Sequence, residues 1–166
     1  MDLEIRPARL DDAEGLNAVY NPYIRDSAAT FETIEYTRED RVRWLDRQAS
    51  SPRWPVFVGL DPEGRVCGFA SACPFDPRGA YETSVKTSVF LEPACHGKGL
   101  AKALYRTLFE AIERTDLHRA YALIVAPNPS SVALHRQFGF DHVATLSEVG
   151  CKFGRYYDVT WLEKRL

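Results

Sequence analysis

The sequence predicts an α/β protein: a mixed central sheet of about seven strands with helices on both faces. Three observations predict it. Strand-type alternation and helix-type periodicity follow in the order strand, two helices, three strands, helix, strand, helix, two strands. A strand, a glycine loop, a helix and another strand form a unit at the centre of that order. The chain has 166 residues, of which 45% are hydrophobic and 27% charged, enough apolar material for one core in one domain spanning residues 1–166.

Residues 3–8 (LEIRPA) read as a short strand ended by Pro7. Asp11 and Asp12 then stand where a helix cap is needed, and Ala13, Leu16, Val19, Tyr20 and Tyr23 form an apolar stripe. Residues 21–36 read as a loop bearing the aromatics Tyr23, Phe31 and Tyr36. Thr37 followed by Asp40 is an acidic form of the capping box and starts a helix to about Gln48. Residues 55–60 and 65–73 flank the turn 61–64 (DPEG), which predicts a hairpin.

The strand 82–91 alternates. Val85, Thr87, Val89 and Leu91 share one face, and Ser84, Lys86, Ser88 and Phe90 the other. Leu100, Leu104, Leu108 and Ile112 stand four apart, the mark of a buried helix stripe. Residues 120–125 (AYALIV) form a buried-type strand, and residues 130–138 a short helix stopped by Gly139. Two strands, roughly 141–149 and 156–163, complete the chain.

Lys and Arg number 21 against 23 Asp and Glu, so the net charge is −2, without the basic excess usual in nucleic-acid binders. The N-terminal residues MDLEIRPARLDD lack a secretory pattern, and no apolar run approaches a membrane span. Cys67, Cys73, Cys95 and Cys151 form no C-x-x-C and no zinc spacing, so the expectation is four reduced thiols, no metal and a cytoplasmic protein.

The segment CHGKGLAKALYRTLFEAIER places glycines at the mouth of the strongest helix. The first N–H groups of a helix lack internal partners and carry partial positive charge. Glycine lets an anion such as a phosphate approach them closely. The loop is neither G-x-x-x-x-G-K-[ST] nor G-x-G-x-x-G.

Two segments together resemble the acetyl-coenzyme A-dependent N-acetyltransferases of the GNAT superfamily. Residues 96–101 (HGKGLA) are similar to the superfamily loop (Gln/Arg)-x-x-Gly-x-(Gly/Ala), with His96 where Gln or Arg is usual. Residues 126–140 (APNPSSVALHRQFGF) supply the second match. Residues 148–161 (EVGCKFGRYYDVTW), with NPYI and TFET near the start, resemble the phosphinothricin/methionine sulfoximine acetyltransferase group.

The resemblance implies transfer of an acetyl group from a thioester to the primary amine of a small amino-acid-like substrate. It implies a GNAT fold and, as in many members of the group, a homodimer. The backbone of Gly97, Lys98, Gly99, Leu100, Ala101 and Lys102 would hold the pyrophosphate. The backbone around Val89, Phe90 and Leu91 would pair with the pantetheine arm and polarise the thioester carbonyl. Asn128 and Ser131 would line the opened sheet. An acyl-coenzyme A-binding protein, or an enzyme for a protein amine, is the alternative.

His135 and Lys86 are the candidate catalytic side chains. His135 stands where many members carry a tyrosine acid, and an imidazole can protonate a leaving thiolate. Lys86 stands where the group usually has a glutamate base, and three readings stay open. Glu82 is the relevant acid, water or His135 is the base, or Lys86 acts by charge. A cation ~6 Å from an ammonium, at an effective dielectric of ~20, lowers that amine's pKa by about two units. Phe31, Glu32, Arg78, Tyr81, Lys152 and Tyr156 are the candidate substrate residues, with Arg78 suited to a carboxylate.

Overall fold

The structure, a computed structural model, describes residues 4–166; Leu3, which opens the first predicted strand, lies outside the described residues. The elements in chain order are β1 (Glu4–Pro7), α1 (Ala13–Asp26), α2 (Arg38–Ala49), β2 (Val56–Leu60), β3 (Val66–Pro74), β4 (Ser84–Leu91), α3 (Leu100–Ile112), β5 (Arg119–Val125), α4 (Pro129–Gln137), β6 (Asp141–Lys152) and β7 (Arg155–Arg165). The seven strands form one sheet in the order β1-β2-β3-β4-β5-β7-β6. Every neighbouring pair is antiparallel except β4 and β5, which run parallel.

The alternation along β3 and β4 sends apolar side chains to both faces, so each face needs its own helices. On one face Val85 and Leu91 pack with Leu100, Leu104, Leu108 and Ile112 of α3. All four α3 residues are fully buried. Each contributes about 1.5–3 kcal/mol relative to an exposed position. On the other face Val58 and Phe69 pack with Leu16 and Val19 of α1 and Leu45 of α2, and Phe90 joins them.

Two expectations are corrected. Residues 21–26, read as the start of a loop, are helical: α1 continues through Pro22 to Asp26. Proline there leaves only the Ala18 carbonyl without its helical donor, and Ile24 in the last turn is buried. Asp12 makes no side-chain cap to α1. Its carboxylate accepts two bonds of 2.8 Å from Arg6 and one of 2.7 Å from the Arg9 N–H. That pairing holds the Asp12 carboxyl below the ordinary range even though burial opposes it. The final two strands also run longer than their alternation suggests, joined by a two-residue turn at Phe153 and Gly154.

The capping box of α2 forms as predicted: Thr37 accepts from the Asp40 N–H at 3.1 Å, and Asp40 accepts from the Thr37 N–H at 3.0 Å. Helix α4 ends in a Schellman motif. Gly139, at φ +81°, donates to Arg136 at 3.0 Å, and Phe140 donates to His135 at 3.2 Å.

Candidate active site

Strands β4 and β5 pair only from Ser84/Arg119 to Lys86/Tyr121 and then part. Beyond that point β4 stays paired with β3 alone, through Leu91. Glu92 donates its N–H to Cys67, and the Ser84 carbonyl accepts from Phe75. The even-numbered residues of β4 therefore turn their main chain toward β3, and the odd-numbered ones toward β5. Val89 and Leu91 thus face the opening, whereas Phe90 spends its main chain on the pairing with Phe69. Of the three residues named for this strand, the main chain of Val89 and Leu91 is the part left open.

The glycine loop lies at the end of this opening. Gly97 and Gly99 have φ of +73° and +81°, where side chains are strained, and a Cβ at either would meet nothing within 4 Å. The first bond of α3 runs from the Ala103 N–H to the Gly99 carbonyl at 3.0 Å. Among the described residues no main-chain acceptor faces the N–H groups from Gly97 to Lys102. These are open donors at a helix N-terminus, beside space that glycine keeps clear. An anion as large as a diphosphate fits such a mouth. Leu100 contributes main chain only, because its side chain is fully buried, while Lys102 is exposed.

A cleft of about 360 Å³ joins the loop to the parted strands. It brings together Val89, Phe90, Leu91, Gly97, Ala101, Asn128, Ser131 and His135 of the predicted residues. Asn128 caps α4, its Oδ1 accepting from the Ser131 N–H at 3.1 Å and the Ser130 hydroxyl at 3.0 Å, which leaves its amide N–H groups for the cleft. Cys95, beside the loop, is buried in the core.

His135 forms the rear wall and is 4% exposed. Its Nδ1 donates to the Ser131 carbonyl at 2.7 Å, so its Nε2 accepts from the Tyr105 hydroxyl at 2.9 Å. Burial pushes the imidazole below its ordinary value, and the Ser131 bond opposes that shift. Both ring nitrogens are engaged within the protein. Tyr105 is fully buried, which raises its hydroxyl's pKa.

A second cavity of about 380 Å³ lies on the α1 face of the sheet. Tyr20, Thr30, Phe31, Leu146, Val149 and Trp161 contribute to its walls. It shares Ala29, Ser88, Phe90, Leu123 and Val125 with the cleft, so the two spaces meet where β4 and β5 part. Lys86 is half-buried on the same face as Ser88, two residues along β4 and opposite Cys73. Glu32 follows Phe31 in the chain, is exposed, lines neither space and accepts from the Tyr36 hydroxyl at 3.2 Å. Burial first, and then the Glu32 charge, push the Tyr36 hydroxyl up to about 12.

Other expected residues lie elsewhere. Arg78 is bound to Asp76, with Nε 2.7 Å from Oδ1, and covers the Tyr81 ring at 5.1 Å. Neither residue lines the cleft or the second cavity. Tyr156 is 67% exposed on the last hairpin. Lys152 is corrected most sharply: it is 5% exposed, and its ammonium donates to the Tyr23, Ser27 and Thr30 carbonyls at 3.3, 2.7 and 2.7 Å. All three of its protons are used within the chain.

Sequence reasoning missed Tyr23 as a site residue. Its hydroxyl donates to the Leu91 carbonyl at 2.6 Å at the cleft edge, and lies 3.3 Å from His96 Nε2. It also missed Ser88, which lines both spaces and whose hydroxyl lies 3.2 Å from that of Ser71. The signal for Tyr23 was present as the last member of the α1 stripe, one turn past where the helix was expected to stop.

Residues 5–161 match the acetyltransferase (GNAT) domain family. The chain belongs to that family. It is 42% identical to a phosphinothricin N-acetyltransferase of Streptomyces coelicolor, over 99% of this chain and 97% of that one. It is 32% identical to an L-methionine sulfoximine/L-methionine sulfone acetyltransferase of Pseudomonas paraeruginosa, over 100% of this chain and 96% of the other. Among solved structures, a GNAT superfamily phosphinothricin acetyltransferase from Sinorhizobium meliloti, in complex with acetyl-CoA, superposes with a TM-score of 0.94. It is 30% identical and covers 100% of this chain and 89% of its own. The parted β4 and β5 and the glycine loop are thus features of a GNAT fold. Among the described residues no cluster of metal-binding side chains occurs, and no helix is long and apolar enough to cross a membrane.

Proposed function

We propose that this GNAT enzyme moves the acetyl group of acetyl-CoA to the primary amine of a small amino-acid-like substrate of the phosphinothricin or methionine sulfoximine/sulfone type. The observation that carries this is the passage at Ser88 and Phe90, where the cleft beside the glycine loop opens into the second cavity. A thioester laid along β4 from one side and an amine entering from the other meet there. Proximity of this kind contributes much of the rate in acyl transfer.

In this reading the N–H groups from Gly97 to Lys102 take the diphosphate, and Lys98 and Lys102 add positive charge. The Val89 and Leu91 main chain pairs with the pantetheine arm, and Asn128 and Ser131 form the opposite bank. A β4 N–H that faces the opening polarises the thioester carbonyl. The thioester supplies the activated acetyl group, and the protein supplies alignment and charge. His135, held between Ser131 and Tyr105, fixes the rear wall and reaches other groups only through the Tyr105 hydroxyl. Lys86 acts by charge, lowering the amine's affinity for its proton. Glu32, next to Phe31 in the chain, is the carboxylate that attracts the incoming ammonium.

The chain acts as one domain in the cytoplasm, as a homodimer. Exposed Val149, Phe153 and Tyr156 on the last hairpin supply apolar surface for a second copy. The test follows free thiol release from acetyl-CoA with phosphinothricin, methionine sulfoximine, methionine sulfone and peptide amines. Amine-dependent release with the first three is expected. Thermal stabilisation by acetyl-CoA without release on any amine would reduce the protein to an acyl-CoA binder.

A further inference from the structure

Residues 27–36 form an extended strap between α1 and α2, and Ala29, Thr30 and Phe31 of that strap wall the second cavity. The strap carries no regular ladder of its own, so its position depends on what fastens it. Three fastenings converge at the cavity end. The Lys152 ammonium binds the Ser27 and Thr30 carbonyls, both at 2.7 Å, and ties them to the last turn of α1 through Tyr23. The Thr30 hydroxyl lies 2.7 Å from the Tyr20 hydroxyl. The Phe31 ring rests against Gly150, where an added Cβ would overlap it.

Two of these fastenings come from one hairpin. Phe153 and Gly154 both have positive φ, 53° and 70°, as a type I′ turn requires. That turn fixes Lys152 opposite Arg155 and Gly150 opposite Tyr157. The ammonium and the flat glycine surface therefore face the strap in fixed register. Burial favours the uncharged form of Lys152, and the Glu32 charge on the strap opposes this.

We propose that Lys152 is a positioning residue, which with Gly150 pins the strap so that Phe31 and Thr30 form a rigid wall of the amine cavity. The proposal rests on reading that cavity as the amine site. It makes the last hairpin a determinant of amine recognition that leaves coenzyme A binding alone, since neither Lys152 nor Gly150 lines the cofactor cleft.

The test uses the full chain with Lys152→Met, Lys152→Arg, Gly150→Ala, Phe31→Ala and the Phe31→Ala/Gly150→Ala double variant. Two readouts are taken: amide hydrogen exchange in residues 27–36, and the Michaelis constants for amine and for acetyl-CoA separately. Lys152→Met is expected to speed exchange in the strap ~10-fold or more. It should raise the amine constant ~10-fold while the acetyl-CoA constant stays within ~2-fold. Lys152→Arg should recover part of both effects. Gly150→Ala should raise the amine constant in the wild-type background and add nothing to Phe31→Ala, because the clash then has no ring to displace.

Unchanged strap exchange in Lys152→Met, or equal rises in both constants, overturns the proposal. So does an additive Gly150→Ala/Phe31→Ala cycle, which decides the matter if Lys152→Met does not fold. Should wild type release thiol with no amine, the reading of the site fails, and strap exchange still decides whether Lys152 pins it.

Discussion

The two spaces that meet at Ser88 are built in opposite ways. The cofactor side has at its centre one short run of chain, the end of β4, the glycine loop and the first turn of α3, with β5 and α4 as the far bank and Tyr23 and Ala29 at its edge. The amine side is gathered from α1, the strap, β4, β5 and the final hairpin. The first relies on main-chain donors and needs only glycine geometry. The second relies on side chains held by distant fastenings. In the proposed reading, cofactor binding belongs to the more local half, and amine selectivity to the half that many segments must agree to build.

This contrast is open to attack from the cofactor side first. Gly99→Asp adds a side chain at φ +81° and a negative charge among the open N–H groups. Calorimetric titration should show acetyl-CoA affinity falling about 100-fold, ~2.7 kcal/mol. Amine-pocket variants should leave that affinity unchanged, and if they lower it as much, the two halves are not separate.

The next largest effect is expected at the rear wall. His135→Phe keeps an aromatic ring but leaves the buried Tyr105 hydroxyl without its partner. Urea unfolding should report a loss of about 1–3 kcal/mol. The pH dependence has a defined sign. Burial lowers the folded-state pKa of His135 below its unfolded value, so below that value the unfolded chain binds more protons. Stability is therefore fully present above pH ~6.5, the unfolded value, and falls as pH drops from there toward the depressed folded value. In His135→Phe that part of the slope should vanish.

Lys86 sharpens the amine side. Lys86→Glu removes one charge and adds its opposite on the substrate face of β4. The acid limb of kcat against pH, which reports the bound amine, should move up by about 2–4 units. An unmoved limb means Lys86 has no electrostatic role. The smallest effect is expected where the strap ends: Thr37→Ala removes one half of the α2 capping box and should cost about 1 kcal/mol in urea unfolding.

Much of the cofactor half was legible because its signals are local. The α3 stripe at Leu100, Leu104, Leu108 and Ile112 can serve only a buried helix, and Gly97 and Gly99 explain themselves through positive φ. The order of elements was readable for the same reason. The amine half was less so. Arg78 looked like a carboxylate binder, yet Asp76, two residues away, claims its guanidinium. Lys152 looked like a substrate residue, yet its partners lie more than 120 positions earlier, at Tyr23, Ser27 and Thr30. Tyr23 was hidden because residues 21–36 read as a loop, whereas the helix runs on to Asp26 with Ile24 buried. In each case a tertiary partner overrode the local pattern.

Calorimetric titration of the purified chain with acetyl-CoA and with free coenzyme A bears most directly on the claim that open helix-mouth donors and a parted strand hold the thioester beside the amine cavity. One molecule bound per chain, with affinity about 100-fold lower in Gly99→Asp and kept in Lys152→Met, is the expected result. No measurable affinity for either ligand in the wild-type chain would contradict the account.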